Sequence, residues 1–89
     1  MFTSWGVETA RKFTADELTA ILAALADADT YGTVLRAKGI VDGGNEWLHF
    51  DYVPGESNVR VGAADVTGRL CVIGAGLKED KLAVLFGIA

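Results

Sequence analysis

Five side chains in the middle of the chain are of types that could bind a partner. Arg36 and Lys38 lie two residues apart in the segment TVLRAKGIV, and Trp47, His49 and Asp51 recur at the same spacing in WLHFD. A spacing of two is the side-chain period of a β-strand, so each set is predicted to point to one face. Arginine and aromatic side chains are common where proteins contact one another. We therefore take these five residues as the candidate partner-binding residues.

Simpler interpretations of the same residues stay open at the level of sequence. Arg36 and Lys38 could form only the solvated side of an antiparallel strand, since one face of such a sheet is usually polar. Trp47 could pack against a side chain on the neighbouring strand instead of against a partner.

Neither a metal site nor a catalytic site is predicted in this chain. His49 and Cys71 are the single histidine and the single cysteine, whereas zinc-type coordination takes three or four protein ligands. The sequence has no GxxxxGK[ST] loop to hold phosphates and no serine, histidine and acid at a recognisable catalytic spacing. The segment Gly74-Ala75-Gly76 lacks the third glycine of a dinucleotide fingerprint, and we interpret it as a strand-to-helix turn. The chain is therefore predicted to be non-catalytic and without a cofactor of its own.

Length, composition and charge narrow the function classes further. The length of 89 residues predicts one domain. A composition of 51% hydrophobic and 22% charged residues is typical of a globular protein. A formal net charge of −4 supplies no broad cationic surface for phosphates, which argues against nucleic acid as a partner. No apolar run reaches the roughly 18 residues of a membrane-crossing helix, and the N-terminal residues do not resemble a signal peptide. We expect a cytoplasmic protein with no membrane partner.

Two helices are predicted, one early and one at the end of the chain. Thr14 can cap the first helix, with Glu17 three positions later completing a capping box. Apolar residues then recur at helical spacing, which predicts a helix running to about Ala28. The second helix is predicted to begin near Lys78, although lysine is a poor capping residue at the positive end of a helix dipole.

The register of a central hairpin decides which side chains share a face of the sheet. If Gly43 and Gly44 form a two-residue turn, Asp42 pairs with Asn45. On the face predicted to meet the helices, smaller residues oppose bulky ones: Leu35 with Tyr52, Ala37 with Phe50, and Gly39 with Leu48. On the outer face the predicted pairs include the candidate residues: Arg36 with Asp51, Lys38 with His49, and Ile40 with Trp47.

Further strands are predicted on both sides of this hairpin. Phe2 to Thr9 alternates as a first strand, and Pro54-Gly55 suits a type II turn that leads into a strand over Asn58 to Ala63. Leu70 to Ile73 is a short β-rich run. Together these segments predict an α+β domain of two layers, an antiparallel sheet of four to five strands with two helices on one face.

Three segments resemble a known family. They are the entry strand and helix FTSWGVETARKFTADEL, the LRAKG strand followed by a tryptophan-bearing strand, and the closing segment RLCVIGAGLKEDKLAVLF. Together they are similar to the C-terminal domain of the CobW-type GTPases, a family linked to cobalamin biosynthesis and to metal delivery as metallochaperones. The resemblance covers nearly the whole chain, and the LRAKG and IGxGL segments are its more specific parts.

The resemblance implies a function as part of a larger protein. Residues 1–89 would be a single CobW C-terminal-like domain of a longer GTPase. In that family the nucleotide loop and the cysteine-rich metal motif belong to the GTPase domain, so GTP and a divalent metal are implied for the parent protein only. The chain would be a non-catalytic accessory domain that contacts the GTPase domain in cis, or a client metalloprotein, through its outer sheet face.

A function of a different class stays open. The alternative is a stand-alone sensor domain with a ferredoxin-like sheet, which binds a small ligand between helices and turns. A P-loop domain encoded upstream in the same reading frame would favour the accessory domain. A complete reading frame of 89 residues would favour the sensor.

Overall fold

The computed structural model describes residues 1 to 88. Within this range five strands form one antiparallel sheet in the order β1-β5-β2-β3-β4. The elements in chain order are β1 (Thr3–Thr9), α1 (Ala15–Ala24), α2 (Ala28–Tyr31), β2 (Thr33–Asp42), β3 (Trp47–Val53), β4 (Glu56–Gly62), β5 (Gly68–Ala75) and α3 (Glu79–Leu85). The predicted two-layer α+β architecture is confirmed, with one short helix more than expected.

Helix α1 begins where the capping box predicts. The Glu17 N–H donates to the Thr14 hydroxyl at 3.0 Å, and the Thr14 N–H donates to the Glu17 carboxylate at 3.4 Å. Arg11 also donates to that carboxylate at 2.6 Å, and this hydrogen bond is the main reason why the pKa of Glu17 lies below its ordinary value.

The predicted end of this helix near Ala28 is wrong. Helix α1 ends at Ala24, and the one-turn helix α2 begins at Ala28. The Asp27 side chain caps α2 by accepting a hydrogen bond from the Thr30 N–H at 3.3 Å. Aspartate competes with continuous helix because its carboxylate binds nearby backbone N–H groups. These hydrogen bonds, first among them the one from the Thr30 hydroxyl, lower the pKa of Asp27.

The start of α3 at Lys78 is confirmed, and a tertiary contact accounts for the unusual residue there. Lys78 makes no side-chain cap within its own helix. Its ammonium group instead donates to the Asp29 carbonyl at 3.0 Å, and its N–H donates to the Tyr31 carbonyl at 3.1 Å. A cation is favourable at the carbonyl end of a helix, so Lys78 joins the start of α3 to the end of α2.

The β2–β3 register differs from the predicted one by two positions. Asp42 pairs with Trp47 because the loop has four residues, Gly43 to Glu46. The Gly43 N–H donates to the Glu46 carbonyl at 2.8 Å, and the Gly44 N–H donates to the Asp42 carboxylate at 2.7 Å. Of the two glycines only Gly44 has a positive φ, whereas a type I′ turn needs it at both central residues. A shift of two residues keeps each side chain on its predicted face.

One side chain does lie on the opposite face from that predicted. Leu35 was expected to face the helices, but the β2–β5 ladder contains a β-bulge there: Val34 pairs with Gly74 and Arg36 pairs with Ile73. The extra residue resets the alternation. Val34 is therefore buried, and Leu35 is 37% exposed.

The hydrophobic core lies between the helices and one face of the sheet. Phe86, which follows α3, lies with its ring centroid 6.1 Å from that of Trp5 and 6.2 Å from that of Phe50. Leu18 and Leu82 add fully buried side chains from α1 and α3. Within residues 1 to 88 every fully buried side chain is apolar. No helix in this range is long and apolar enough to cross a membrane.

Candidate functional site

The sheet face opposite the helices is called the open face here. It consists of the residues that alternate away from the core: Ser4, Gly6 and Glu8 of β1, Arg69, Cys71 and Ile73 of β5, Arg36, Lys38, Ile40 and Asp42 of β2, Trp47, His49, Asp51 and Val53 of β3, and Glu56, Asn58, Arg60 and Gly62 of β4. All five candidate partner-binding residues lie on this face. The directly opposite cross-strand pairs are not the predicted ones, although the predicted contact between Arg36 and Asp51 does form.

Asp51 is the centre of an ion-pair cluster on the open face. An Arg60 guanidinium nitrogen lies 2.9 Å from one Asp51 oxygen, and an Arg36 nitrogen lies 3.8 Å from the other. Arg36 therefore reaches Asp51 diagonally, because the residue directly opposite Asp51 on β2 is Lys38. Exposed pairs of this kind contribute about 0 to 1 kcal/mol each. The cluster therefore orients side chains more than it stabilises the fold.

Arg60 is a member of this cluster that sequence reasoning did not include. Alternation along β4 predicted that Arg60 points outward, but nothing in the local sequence connects it to Asp51. The pairing of β3 with β4 places Arg60 opposite His49 and Asn58 opposite Asp51. Arg60 also donates to the Asn58 side chain at 3.0 Å, which holds the guanidinium beside Asp51.

Lys38 differs from the neighbouring arginines because it makes no ion pair with any of residues 1 to 88. Its cross-strand neighbours are Cys71 on β5 and Asp51 on β3. Among residues 1 to 88 no carboxylate lies within ion-pair distance of the Lys38 ammonium group. Its charge is thus directed to solvent from the middle of the sheet.

His49 is held at one edge of the open face. Its Nε2 lies 2.9 Å from the Ala63 carbonyl oxygen. The ring covers Gly62, so that a Cβ added to that glycine would lie 2.5 Å from the ring. The predicted pairing of His49 with Lys38 is wrong, because the two-position shift brings Ile40 opposite His49.

Trp47 lies at the end of the open face beyond His49. The predicted cross-strand partner, Ile40, is not opposite it, and Trp47 instead pairs with Asp42 on β2 and with Gly62 on β4. The indole is half-buried, so part of its surface remains available for contact. Gly62 adds no side chain beside it.

A shallow cup of about 350 Å³ lies over the middle strands of the open face. Lys38, Arg60 and Arg69 surround it together with Asp51, and Ile40 and Cys71 also line it. Its volume is at the lower end of the range for small-molecule sites, roughly 300 to 1,000 Å³. Such an arrangement can hold a carboxylate. Within residues 1 to 88 no three or more His, Cys, Asp or Glu side chains are grouped so that they could hold a metal ion.

A second hollow lies between the helices and a turn, where the sensor hypothesis would place a ligand. It is bounded by Leu25 and Ala28 on the helix side and by Tyr52 and Pro54 on the sheet side. Its volume of about 200 Å³ is smaller than that of typical ligand sites. The larger concavity is therefore on the open face.

Comparison with known proteins gave one family and two similar structures. The family model described as the cobalamin synthesis protein cobW C-terminal domain matches residues 2–87. The fold is similar to the Zn(II)-bound YjiA GTPase from E. coli, with 21% identity and a TM-score of 0.73 over 96% of this chain and 28% of that one. It is also similar to a Zn(II)-bound triple mutant of YjiA GTPase, with 22% identity, a TM-score of 0.74 and the same coverage. The chain thus spans 28% of the length of these GTPase structures. A comparison with curated proteins gave no match.

Proposed function

Since this chain belongs to the family of the cobalamin synthesis protein cobW C-terminal domain, we propose that it is a non-catalytic accessory domain of a CobW-type GTPase. It contacts the GTPase domain in cis, or a client metalloprotein, through the open face. In this role the domain supplies a binding surface, and the GTPase domain holds the nucleotide. GTP and a divalent metal belong to the parent protein, which acts as a metallochaperone in the cytoplasm. The similar GTPase structures are Zn(II)-bound, which makes zinc the first metal to test for that parent.

The observation that carries this proposal is the composition of the open face. A sheet of five strands is covered by helices on one side, and its other side presents cations beside exposed apolar groups. Exposed apolar groups that lie close together on a folded domain mark surfaces that contact other molecules. Arg36 and Lys38 lie near the middle of this face, and neither is buried.

The test is calorimetry between this chain and the separately expressed GTPase domain of the parent protein. We expect Arg36→Ala and Lys38→Ala each to weaken binding up to about fivefold, since one exposed ion pair is worth at most about 1 kcal/mol. Both variants should keep the fold, because both side chains are exposed. Lys81→Ala is the matched control, since it removes the same charge from the exposed side of α3. Unchanged binding by both open-face variants would overturn the proposed contact surface.

A further inference from the structure

We infer that the partner surface recognised by the open face is acidic: its carboxylates meet Lys38 and the neighbouring cations, and apolar side chains beside them meet an apolar row. The apolar row is Leu35, Val53 and Ile73. The inference rests on the proposed function, because it specifies the chemistry of the partner at the same surface.

The distribution of charge makes the open face the less acidic side of the domain. The chain carries a formal charge of −4, but the open face is formally neutral: it holds four of the eight lysine and arginine residues, Arg36, Lys38, Arg60 and Arg69, and four of the twelve acidic residues, Glu8, Asp42, Asp51 and Glu56. The helix layer carries acidic residues in the first turns of its helices: Asp16 and Glu17 in α1, Asp29 in α2, and Glu79 and Asp80 in α3. An acidic surface is therefore repelled by the helix side more than by the open face, which orients the encounter.

The ion pairs of the open face, among residues 1 to 88, do not include Lys38. Asp51 is opposite Lys38, but its oxygens are engaged by Arg60 at 2.9 Å and Arg36 at 3.8 Å. Arg69 is paired with two carboxylates at the far edge of the cup, Glu8 at 3.5 Å and Asp65 at 3.3 Å. Three cations line the cup: Lys38, Arg60 and Arg69. Of these, only Lys38 makes no ion pair with any of residues 1 to 88. A carboxylate of the partner therefore gains the most electrostatic attraction beside Lys38.

The apolar row gives the partner surface its second property. Leu35, Val53 and Ile73 are 37%, 42% and 36% exposed. Ile73 pairs with Arg36, Leu35 is the bulged residue before Arg36, and Val53 lies one residue beyond the Ala37–Tyr52 pair. The row thus crosses three neighbouring strands, a width of roughly 10 Å at about 4.8 Å per strand.

The spacing between the row and Lys38 defines what can bind. Lys38 lies two residues along β2 from Arg36, which is about 7 Å at 3.3 Å per residue. The partner surface therefore presents apolar side chains with a carboxylate about 7 Å from them. Burial of the row contributes affinity, and the carboxylate contributes orientation and association rate.

The experiment reverses one charge and measures binding of the separately expressed GTPase domain. We expect Lys38→Glu to weaken binding by about tenfold or more, because attraction becomes repulsion between like charges. Lys81→Glu makes the same reversal on the helix side and should leave the affinity unchanged. Raising NaCl from about 50 to about 500 mM should weaken the wild-type complex and reduce the difference in affinity between it and the Lys38→Glu complex, because salt screens attraction and repulsion alike.

A second experiment uses peptides as probes. It distinguishes a wrong choice of partner, the GTPase domain, from a wrong prediction that the partner surface is acidic. A capped peptide of alternating glutamate and leucine, and its glutamine counterpart, are titrated into the isotope-labelled chain while its amide NMR signals are recorded. The acidic peptide is expected to shift the signals of Lys38, Cys71 and Ile73, and the glutamine peptide is expected to leave them in place.

The outcomes separate the two proposals. If the GTPase domain binds, and Lys38→Glu has no effect while Ile73→Ser abolishes binding, the accessory function stands and the acidic partner is overturned. If the GTPase domain does not bind at all but the acidic peptide shifts the open-face signals, the acidic chemistry stands and the proposed partner is overturned. Equal shifts by both peptides contradict the inference.

Discussion

At the scale of single residues, Gly39 decides how the sheet under the open face packs. It lies opposite Phe50, and a Cβ added to Gly39 would lie 2.6 Å from the Phe50 ring and 2.6 Å from the Arg69 carbonyl oxygen. The missing side chain lets the Phe50 ring lie over β2 and reach Phe86, 6.2 Å away. Gly39 thereby holds this part of β2 close to Phe50. Its two neighbours, Lys38 and Ile40, have side chains that line the cup on the open face.

We therefore predict that Gly39→Ala destabilises the domain by about 1 to 3 kcal/mol, the usual cost of overpacking. Urea unfolding measured by circular dichroism gives the free energy of unfolding. Gly6→Ala is the matched control, since Gly6 is also a strand glycine but its nearest neighbour would lie 3.8 Å from the added Cβ. Equal stability of the two variants would show that the Phe50 ring can move aside.

At the scale of elements, the β-bulge in β2 decides what the open face exposes. The pairs on either side of Leu35, Val34 with Gly74 and Arg36 with Ile73, are consecutive on β5. Leu35 is therefore the residue left without a partner, and its side chain is 37% exposed instead of packed in the core. Without the bulge, the alternation of β2 would direct the residue before Arg36 toward the helices.

This geometry predicts that deletion of Leu35 is tolerated, at a cost of about 1 kcal/mol or less, typical of a change at the surface. Val34 would then directly precede Arg36, stay buried and keep its pairing with Gly74. Deletion of Lys38 from the regular part of the ladder is the control, because it turns the preceding residues of β2 to the wrong face and should unfold the domain. Circular dichroism and urea unfolding distinguish the two. If both deletions unfold the chain, the bulge is a required bend of the strand.

At the scale of the whole molecule, one aromatic cluster joins the two ends of the chain. Phe86 follows the last helix, Trp5 belongs to the first strand, and Phe50 lies in the middle of the sheet. Strand β1 also pairs with β5 rather than with its neighbour in sequence. The sheet that carries the open face therefore forms only when distant parts of the chain have come together, which favours cooperative unfolding.

We expect Phe86→Ala to cost about 3 to 5 kcal/mol, as large-to-small changes at fully buried phenylalanines do. A domain of this size has a total stability of roughly 4 to 13 kcal/mol, so the variant should lose between about a quarter and all of that stability. Val84→Ala is the control in the adjoining helix α3, since Val84 is 65% exposed and should have little effect. The free energy of unfolding in urea measures both. A fully stable Phe86→Ala variant would mean that α3 is not required to hold the sheet together.

The amino-acid sequence by itself determined the features that depend on near neighbours. The capping box at Thr14 begins α1, alternation assigns most strand residues to their faces, and Pro54-Gly55 forms a turn in which Gly55 has a φ of 83°. These features follow from hydrogen bonds and steric limits over a few residues, or from a period of two that a two-residue shift of register preserves. The resemblance to the CobW C-terminal domain also rests on short segments, and the match over residues 2–87 confirms it.

Only the tertiary structure decided the features that join residues far apart in the chain. The pairing with β5 created the bulge at Leu35, and the pairing of β3 with β4 brought Arg60 to Asp51. Each of these features depends on which two strands pair with one another, and on the register of that pairing. Such information is shared between distant segments, and no local pattern in either segment contains it.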